Sequence, residues 1–171
     1  FGLQRLAAIH RHLFQDVYEW ARKIRTVPSS KRAELGGVTR FAEPDAIVSD
    51  WQALELQTQS FADARQLSFQ EKCEALALIF IEANRIHPFP EGNGRSLQVF
   101  MQELAFKQGV KLNYAKVSAR EWNAASAVSG TDGCLKGCTS YPPSLIQSRS
   151  EGFSKRLLRL SWSAEKTRRC P

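Results

Sequence analysis

Residues 87–95 hold a histidine, a carboxylate and an arginine within nine positions. They read His-Pro-Phe-Pro-Glu-Gly-Asn-Gly-Arg and lie between two segments with helical apolar periodicity. His87 belongs to the residue type whose ordinary pKa, about 6.5, suits a general base at neutral pH. Glu91 offers the hard oxygen ligand that Mg²⁺ prefers, and Arg95 offers a forked donor for phosphate oxygens. This set of residues predicts transfer of a phosphate-bearing group to a hydroxyl.

The prolines and glycines of the same stretch predict a stiff loop that opens a new helix. Pro88 and Pro90 prevent the preceding helix from continuing. Gly92 and Gly94 allow the main chain to turn sharply and to approach a ligand closely. Free N–H groups at the helix start, together with the helix dipole, would form an anion site. A lone histidine or a Gly-x-Gly turn is ordinary in loops, so the inference depends on their combination.

Two core helices are needed to position this loop. Ser68-Phe-Gln-Glu71 is a capping box, and the helix that it opens runs to Arg85 with apolar residues on most sides. The next helix follows Gly94 and ends at Gly109, a residue typical of a helix C-terminus. The other predicted elements are a first helix over 3–21, a hairpin within 25–42, a helix over 43–59 and a short last helix over 118–128. The prediction is an all-α domain with one short β-hairpin.

The loop motif resembles the signature of the Fic family, the enzymes that AMPylate proteins. The shared pattern is His-Pro-Phe-x-Glu-Gly-Asn-Gly-Arg, with eight fixed positions in residues 87–95, which is far more specific than most short motifs. The resemblance extends to residues 9–21, 24–26 and 121–123, and it covers about residues 3–130. It implies a Fic-type helical domain whose hairpin is the family's flap, and a protein adenylyltransferase that uses ATP and Mg²⁺.

The resemblance implies a role for each charged or titratable residue of the motif. His87 would deprotonate a Ser, Thr or Tyr hydroxyl of a target protein. That oxygen would attack the α-phosphate of ATP and release pyrophosphate. Glu91 would hold Mg²⁺ against the phosphates, and Arg95 would bind the β-phosphate. The remaining residues of the motif would act mainly through their backbone.

Four of those remaining residues are expected to shape the nucleotide site. The main chain of Gly92, Asn93 and Gly94 would form the anion hole, with Asn93 positioning the α-phosphate. Phe89 would point inward and anchor the loop in the core.

The flap, residues 27–41, would align a segment of the target protein by strand pairing, which is a recurring mode of peptide recognition.

The sequence departs from the family pattern in three places. Gln98 stands where the full signature has a second arginine, which would reach the γ-phosphate, so ATP would be held more loosely. Arg22 follows Trp20-Ala21 where Gly is usual, so this helix end must form in another way. No clear inhibitory helix is visible, because Glu151-Gly152 is preceded at the family's spacing by Gln147. The inhibitory glutamate would also lack the second arginine with which it pairs.

The basic charge of the chain is concentrated at one end. The 171 residues carry a net charge of +7, which alone would suggest a polyanionic partner. Residues 131–171 hold eight Lys/Arg and three Asp/Glu, which leaves +5 there and +2 in residues 1–130. We therefore predict a catalytic core over 1–130 and a basic Ser/Cys-rich tail over 131–171. The chain begins without Met in a helical pattern, so we expect a truncated N-terminus.

The apolar runs and the cysteines limit which class of protein and which cellular location the sequence allows. The longest apolar stretch, residues 75–81, is too short to span a membrane. Cys73 fits a buried helix position, and the spacing of Cys134, Cys138 and Cys170 matches no usual zinc site. We expect a reduced cytoplasmic protein, or one secreted into a host cell if it is an effector. No helix in the core carries basic residues along one face, so direct nucleic-acid binding is not expected.

Several alternatives stay open. The chain could transfer another nucleotide or a phosphate group, or it could be a weakly active or inactive nucleotide-binding module because of Gln98. Residues 153–162 could form a packed terminal helix, a helix at a partner or membrane surface, or a disordered segment. By resemblance, stand-alone bacterial members are toxins restrained by a small antitoxin that supplies an inhibitory helix. Other members are effectors that modify host GTPases.

Overall fold

Four helices and one short hairpin make up the described part of the chain. The computed structural model describes residues 1–32, 38–120 and 122. The elements are α1 Leu3–Phe14, β1 Ser30–Arg32, β2 Val38–Arg40, α2 Ile47–Asp63, α3 Phe69–Ile86, α4 Asn93–Lys107 and a 3₁₀ turn Tyr114–Lys116. The strands pair antiparallel, with Lys31 opposite Thr39. The predicted fold class, an all-α domain with one short hairpin, is confirmed.

Helix α3 is the central helix, as its apolar composition predicted. It begins with the predicted capping box, in which the Glu71 N–H donates to Ser68 Oγ at 3.2 Å. In return, the Ser68 N–H donates to the Glu71 carboxylate at 2.7 Å. Helices α2 and α4 both pack on α3, and α1 packs on α4. This arrangement joins the end of α3 to the start of α4 through the loop that carries the motif.

Large aromatic side chains fill the core between these helices. Trp51 of α2 and Phe100 of α4 are fully buried and meet edge to face, with ring centroids 5.9 Å apart. Phe1 packs edge to face against Phe100 at 5.8 Å. Phe89, from the motif loop, is also fully buried. Burial of these rings stabilises the fold through the apolar area that they remove from water.

The first helix is shorter than its periodicity predicted. It ends at Phe14, whereas the apolar spacing carried it to Ala21, and Val17 of that spacing is 67% exposed. Beyond Phe14 a tertiary contact, not a continued helix, sets the path of the chain, because the Arg22 N–H donates to the His10 ring at 3.0 Å. Arg22 has a left-handed backbone, with φ 71°, so the chain turns there without the glycine that is usual in the family.

The second helix begins later than predicted. Its first residue is Ile47 rather than Glu43, because the Ala46 N–H donates to the Glu43 carbonyl at 3.0 Å and closes a turn first. Helix α4 ends as predicted, with Gly109 in a left-handed conformation, φ 69°, directly after the C-cap residue. The Gly109 N–H donates to the Phe106 carbonyl at 2.9 Å, which is the bonding expected of a helix end.

Several predicted features lie outside the described residues. They are residues 33–37 of the hairpin, most of the predicted last helix, the boundary at 130, the tail over 131–171 with its three cysteines, and Glu151. Trp122 is described, and its ring meets Phe80 edge to face at 5.0 Å. Among the described residues, no helix combines the length and apolar character needed to cross a membrane.

Candidate active site

His87 lies at the C-terminus of α3 in a left-handed conformation. Its φ and ψ are 49° and 63°, and its N–H donates to the Ala83 carbonyl at 3.3 Å. Pro88 explains why the helix stops here, since a proline disfavours helical angles in the residue before it. A non-glycine residue in this conformation costs about 1–3 kcal/mol and persists only where its surroundings hold it. The surroundings of His87 are therefore part of the site.

The ring of His87 is oriented by one carbonyl and one aromatic ring. Its Nδ1 lies 3.3 Å from the Asn84 carbonyl oxygen. Because that oxygen only accepts, Nδ1 carries the proton in the neutral ring and Nε2 carries the lone pair. The ring stacks on Phe41, just after β2, with centroids 3.6 Å apart and an interplanar angle of 7°. This geometry suits a base that takes a proton at Nε2.

Burial keeps His87 neutral at physiological pH. Burial is the largest cause that lowers its pKa to about 4, and the positive charges of Arg25 and Lys31 add to the shift. The hydrogen bond to the Asn84 carbonyl acts in the opposite direction. A neutral imidazole is the form that a general base needs. Lys31 belongs to β1, so the hairpin contributes to the electrostatics of the site.

Asn93 holds the loop through both the oxygen and the nitrogen of its side-chain amide. Its Oδ1 accepts from the Phe89 N–H at 2.9 Å, and its Nδ2 donates to the Phe89 carbonyl at 2.6 Å. Asn93 and Phe89 are both buried, so the inward anchor expected of Phe89 is present. The donors left for a phosphate are the backbone N–H of Asn93 and the second N–H of its amide nitrogen.

The start of α4 presents backbone donors, as the motif predicted. Gly92 is the N-cap, with φ 80°, and a Cβ there would lie 2.5 Å from the Phe14 ring. The first bond within the helix is from the Ser96 N–H to the Gly92 carbonyl. The N–H groups of the three residues between them therefore have no partner within the helix. Together with the helix dipole, these donors give the helix start the character of an anion site.

Glu91 and Arg95 are both exposed beside this helix start. One carboxylate oxygen of Glu91 accepts from the Gly92 N–H at 3.0 Å. The Arg95 guanidinium lies over the Phe14 ring, 4.5 Å from its centroid, a cation–π contact that orients the side chain. Gln98 follows almost one turn later, and its carbonyl accepts from the Tyr114 hydroxyl at 3.0 Å. The predicted site residues thus lie on one loop and the first turns of one helix.

His10 is a second histidine of the site, and the sequence did not predict its part. It is completely buried, its Nε2 donates to the Glu91 carbonyl at 2.9 Å, and its Nδ1 accepts from the Arg22 N–H at 3.0 Å. Burial is the main cause that lowers its pKa. A neutral His10 therefore connects α1 to the motif loop through Nε2 and to the turn at Arg22 through Nδ1. Only its position in the 9–21 resemblance could have pointed to it.

Arg25 is the other residue whose part was missed. It is 3% exposed, and its guanidinium donates to four backbone carbonyls, among them that of His87 at 2.8 Å. No local pattern marks it, because most of these partners are distant in sequence. Arg25 and Phe41 together join the hairpin to the motif loop.

The donors of the site fit a nucleotide with its divalent cation. The helix start and Arg95 supply N–H donors and positive charge for phosphate oxygens. Glu91 supplies one exposed carboxylate, and Mg²⁺ bound to nucleotides commonly takes one or two protein carboxylates, with the other ligands from phosphates and water. Among the described residues, no group of three His, Cys, Asp or Glu side chains is arranged to hold a metal alone. Glu91 beside the anion site is thus the position that fits Mg²⁺.

Known proteins of similar sequence share the region that carries the site. The "Probable protein adenylyltransferase Fic" of Salmonella typhimurium is 32% identical over 134 residues, which are 78% of this chain and 64% of that protein. The "Protein adenylyltransferase VbhT" of Bartonella schoenbuchensis is 34% identical over 129 residues, 75% of this chain and 26% of that protein. The chain therefore spans just under two thirds of the first relative and about a quarter of the second.

Solved structures share the fold. BepC of Bartonella tribocorum, a VirB-translocated effector with bound AMPPNP, superposes with a TM-score of 0.72 at 22% identity, covering 96% of this chain and 76% of that one. The Fic domain of a VirB-translocated effector from Bartonella quintana, with bound ADP, gives 0.71 at 21% identity, covering 96% and 74%. The model of the Fic/DOC family matches residues 1–105, which is more than half of the chain. The chain belongs to the Fic/DOC family.

Proposed function

We propose that this chain transfers AMP from ATP to a hydroxyl group of a target protein. The observation that carries the proposal is the neutral ring of His87, which presents Nε2 as a proton acceptor one short loop before the N-terminus of α4. Relatives above 30% identity are named protein adenylyltransferases. Two proteins of the same fold were solved with AMPPNP and ADP bound, which supports a nucleotide as the ligand of the helix start.

In this mechanism His87 is the general base. Its Nε2 takes the proton of a Ser, Thr or Tyr hydroxyl as that oxygen bonds to the α-phosphorus. The bond between the α-phosphorus and the oxygen that bridges to the β-phosphate breaks, and pyrophosphate leaves. The Asn84 carbonyl holds the Nδ1 proton and so keeps Nε2 as the acceptor. Because burial lowers the pKa of His87 to about 4, the ring is in the basic form throughout the physiological range.

The start of α4 would bind the phosphates during transfer. The backbone N–H groups of Asn93, Gly94 and Arg95 would donate to α-phosphate oxygens, where negative charge develops. The Arg95 guanidinium would bind the β-phosphate and stabilise the leaving pyrophosphate. Glu91 would hold Mg²⁺, which supplies charge neutralisation to the phosphates when bound. Gln98 would contribute a neutral side chain where the family pattern has a cation.

The hairpin is proposed to position the target protein. The three residues of β1 are exposed, and Lys31 is close enough to His87 to lower its pKa. A target segment that pairs with the hairpin as an added strand would bring its hydroxyl toward His87. The identity of the target stays open between the GTPases of a host cell and bacterial proteins.

An isotope experiment tests the proposed reaction. The purified chain is incubated with Mg²⁺, a cell lysate and ATP labelled at either the α- or the γ-phosphate. AMP transfer labels protein from α-labelled ATP only, and His87→Ala abolishes the label because the base is lost. His12→Ala is the matched control, since His12 lies exposed on α1 and should leave labelling unchanged. Absence of label, or labelling that survives His87→Ala, would refute the proposal.

The same assay separates other transferred groups. Label that appears only from γ-labelled ATP would identify phosphate transfer. A better signal from α-labelled UTP than from α-labelled ATP would identify transfer of UMP. Either result would keep the proposed site residues and would change the group that they are proposed to transfer.

Gln98 supports a second candidate, a module that binds nucleotide but transfers it weakly. With a neutral side chain at this position, the γ-phosphate lacks the cation of the full signature. This candidate predicts ATP binding by calorimetry without labelled protein. Gln98→Arg should then raise labelling about 10-fold or more, because a charge-assisted hydrogen bond contributes about 1.5–3 kcal/mol. Unchanged labelling in Gln98→Arg would leave this candidate without support.

Regulation and location are proposed from the family resemblance. A small antitoxin that supplies an inhibitory helix in trans is one possible partner, and it would act in the bacterial cytoplasm. Secretion into a host cell, as for the BepC neighbour described as a translocated effector, is the other setting. An inhibitory helix works through the second arginine in the family, so Gln98 predicts weak inhibition here. Addition of a peptide that carries an inhibitory helix of the family, followed by the labelling assay, tests this prediction.

A further inference from the structure

Arg25 lies between the hairpin and the motif loop, and its side chain bonds to both. Its Nη1 donates to the Val27 carbonyl at 2.9 Å, and its Nη2 donates to the carbonyl of Ala42. Its Nε donates to the His87 carbonyl at 2.8 Å, and Nη2 also reaches the Ile86 carbonyl at 3.3 Å. The side chain is 3% exposed, so these bonds are shielded from water.

The carbonyls that Arg25 binds belong to two structural units. Val27 lies three residues before β1 and Ala42 lies two residues after β2, so they flank the two ends of the hairpin. Ile86 and His87 are the last turn and the C-cap of α3. The backbone of Arg25 adds a further bond, from its N–H to the Pro88 carbonyl at 2.9 Å. A single residue therefore connects both ends of the hairpin to three consecutive residues of the catalytic segment.

The electrostatics of the helix end explain why a cation is stable in this buried position. The last carbonyls of a helix lack partners within the helix and form the negative end of its dipole. Burial is the largest influence on Arg25 and lowers its pKa, and the negative charge of Glu43 acts in the opposite direction. The planar guanidinium, with five N–H donors in fixed directions, reaches four carbonyls at once, whereas a lysine ammonium donates from one point.

Two neighbouring contacts depend on the same arrangement. The Phe41 ring stacks on the His87 ring, and Phe41 directly precedes Ala42, whose carbonyl Arg25 binds. The Ala42 N–H donates to the Arg85 carbonyl at 3.0 Å. A shift of the hairpin end would therefore move Phe41, and with it the ring that orients the base.

We propose that Arg25 is a positioning residue that holds His87 in its left-handed conformation and fixes the hairpin relative to the His87 ring. It touches neither nucleotide nor target, and it acts through the backbone of His87 and the stacking of Phe41. Its kinetic consequence rests on the proposed AMP transfer, whereas its structural consequence does not. Displacement of a base by about 1 Å can cost about 10²-fold in rate.

The kinetic test compares Arg25→Lys with Arg65→Lys. Arg65 is an exposed arginine between α2 and α3, outside the hairpin and the motif loop, and serves as the matched control. With labelled ATP and a target lysate, Arg25→Lys should lower kcat about 10²-fold and change the KM for ATP less than threefold. The KM should hold because the helix start that would bind phosphate keeps its own contacts. Arg65→Lys should leave both constants within twofold. A parallel loss of ATP affinity and kcat, or an unchanged kcat, would overturn the proposal.

A nuclear magnetic resonance test follows the position of the His87 ring and does not depend on enzymatic activity. In protein labelled at histidine, the ring signal of His87 is assigned through His87→Ala, and it should carry the ring-current shift that stacking on Phe41 produces. Arg25→Lys should reduce that shift while the signals of His10 and His12 stay in place. If all three signals move together, Arg25 supports the fold in general and the proposal is wrong. It is also wrong if the His87 signal does not move.

The two tests separate this proposal from the proposed function. If the wild-type chain transfers no AMP, that function fails, and the histidine signals alone decide the part of Arg25. If Arg25→Lys does not fold, Arg25→Gln replaces it, because a neutral amide avoids burying an unpaired charge. The glutamine amide has two N–H donors, so it can bond to only two of the four carbonyls that Arg25 binds. The same loss of the stacking shift is expected in Arg25→Gln, and an unmoved His87 signal in that variant would overturn the proposal.

Discussion

Two histidines beside the motif loop have different functions because their nitrogens have different partners. His10 donates from Nε2 to the Glu91 carbonyl and accepts at Nδ1 from the Arg22 N–H. His87 meets the Asn84 carbonyl through Nδ1, which leaves the lone pair of the neutral ring at Nε2. Burial lowers the pKa of both rings. His10 thus fixes the loop that carries Glu91, while His87 is able to accept a proton.

The lowered pKa of His87 predicts the pH dependence of transfer. A base works in its neutral form, so kcat/KM should be lost as the pH falls through the pKa of the free enzyme. That pKa is about 4, so kcat/KM should stay nearly constant on the acid side between pH 8 and pH 5. The measurement is the rate of label transfer at low ATP concentration, with circular dichroism at each pH to verify the fold.

A fall in kcat/KM centred near the ordinary histidine pKa of about 6.5 would contradict this prediction, provided that the protein stays folded. It would indicate that the ring is better solvated, or closer to a negative charge, than the contacts with Phe41, Arg25 and Lys31 imply. Because kcat/KM reports the free enzyme, bound nucleotide does not enter the interpretation.

The two motif glycines predict a contrast between stability and activity. At Gly92, with φ 80°, an added Cβ would lie 2.5 Å from the Phe14 ring, whereas at Gly94 nothing lies within 4 Å. Gly92→Ala should therefore lower the free energy of unfolding by about 2 kcal/mol or more, from backbone strain and the clash. Gly94→Ala should leave it unchanged or raise it by up to about 1 kcal/mol, as in other helices.

Activity should follow a different order in these two variants. In the proposed function, phosphate oxygens approach the backbone of Gly94. An added Cβ would occupy part of the open space there, so Gly94→Ala should lose labelling while it stays folded. Urea unfolding gives the stability, and the labelling assay gives the activity. A Gly94→Ala protein with full activity would contradict the placement of the phosphates against this backbone.

At the scale of elements, the local signals were the ones that could be predicted. The capping box of Ser68 and Glu71 and the terminal Gly109 act within a few residues, so the start of α3 and the end of α4 follow from the sequence. The end of α1 does not, because the contact between His10 and the Arg22 N–H is formed by tertiary folding.

The same distinction applies to the site. The glycines of the motif predicted the turn at Gly92 from residue type alone, and the family resemblance implied the inward Phe89. The motif could not predict Arg25, whose partner carbonyls at Ala42, Ile86 and His87 lie 17, 61 and 62 positions away. The hydrogen bonds of Arg25 all go to backbone carbonyls, which every residue carries, so no residue type in the sequence marks its partners.

The capping box of α3 provides a prediction for a single element. Ser68→Ala removes the acceptor for the Glu71 N–H and should lower the free energy of unfolding by about 1 kcal/mol. Ser49→Ala is the control, because the exposed Ser49 hydroxyl donates to the Ala46 carbonyl and accepts no bond that caps a helix. Its effect should stay within about 0.5 kcal/mol. Equal effects of the two substitutions in urea unfolding would contradict the role of the cap.

At the scale of the whole molecule, charge separates the chain into two parts. The tail over 131–171 holds +5 of the net +7, and the described site belongs entirely to the rest. The last described contact of the core is made by Trp122, whose ring meets Phe80 at 5.0 Å and Tyr114 at 5.3 Å, both edge to face. The core therefore extends at least to Trp122, and the boundary near residue 130 stays a prediction.

Shortened chains test this boundary. A chain that ends at residue 130 should unfold within about 2 °C of the full chain and keep its labelling activity. Trp122→Ala in the full chain should lower the free energy of unfolding by about 2 kcal/mol, because the half-buried ring loses two aromatic contacts and its apolar burial. For a domain of this size, that corresponds to a fall in Tm of about 4–8 °C. If the Tm of the chain ending at 130 falls as far as the Tm of Trp122→Ala, the tail stabilises the core. The basic charge of the tail must then be counted as part of the catalytic domain.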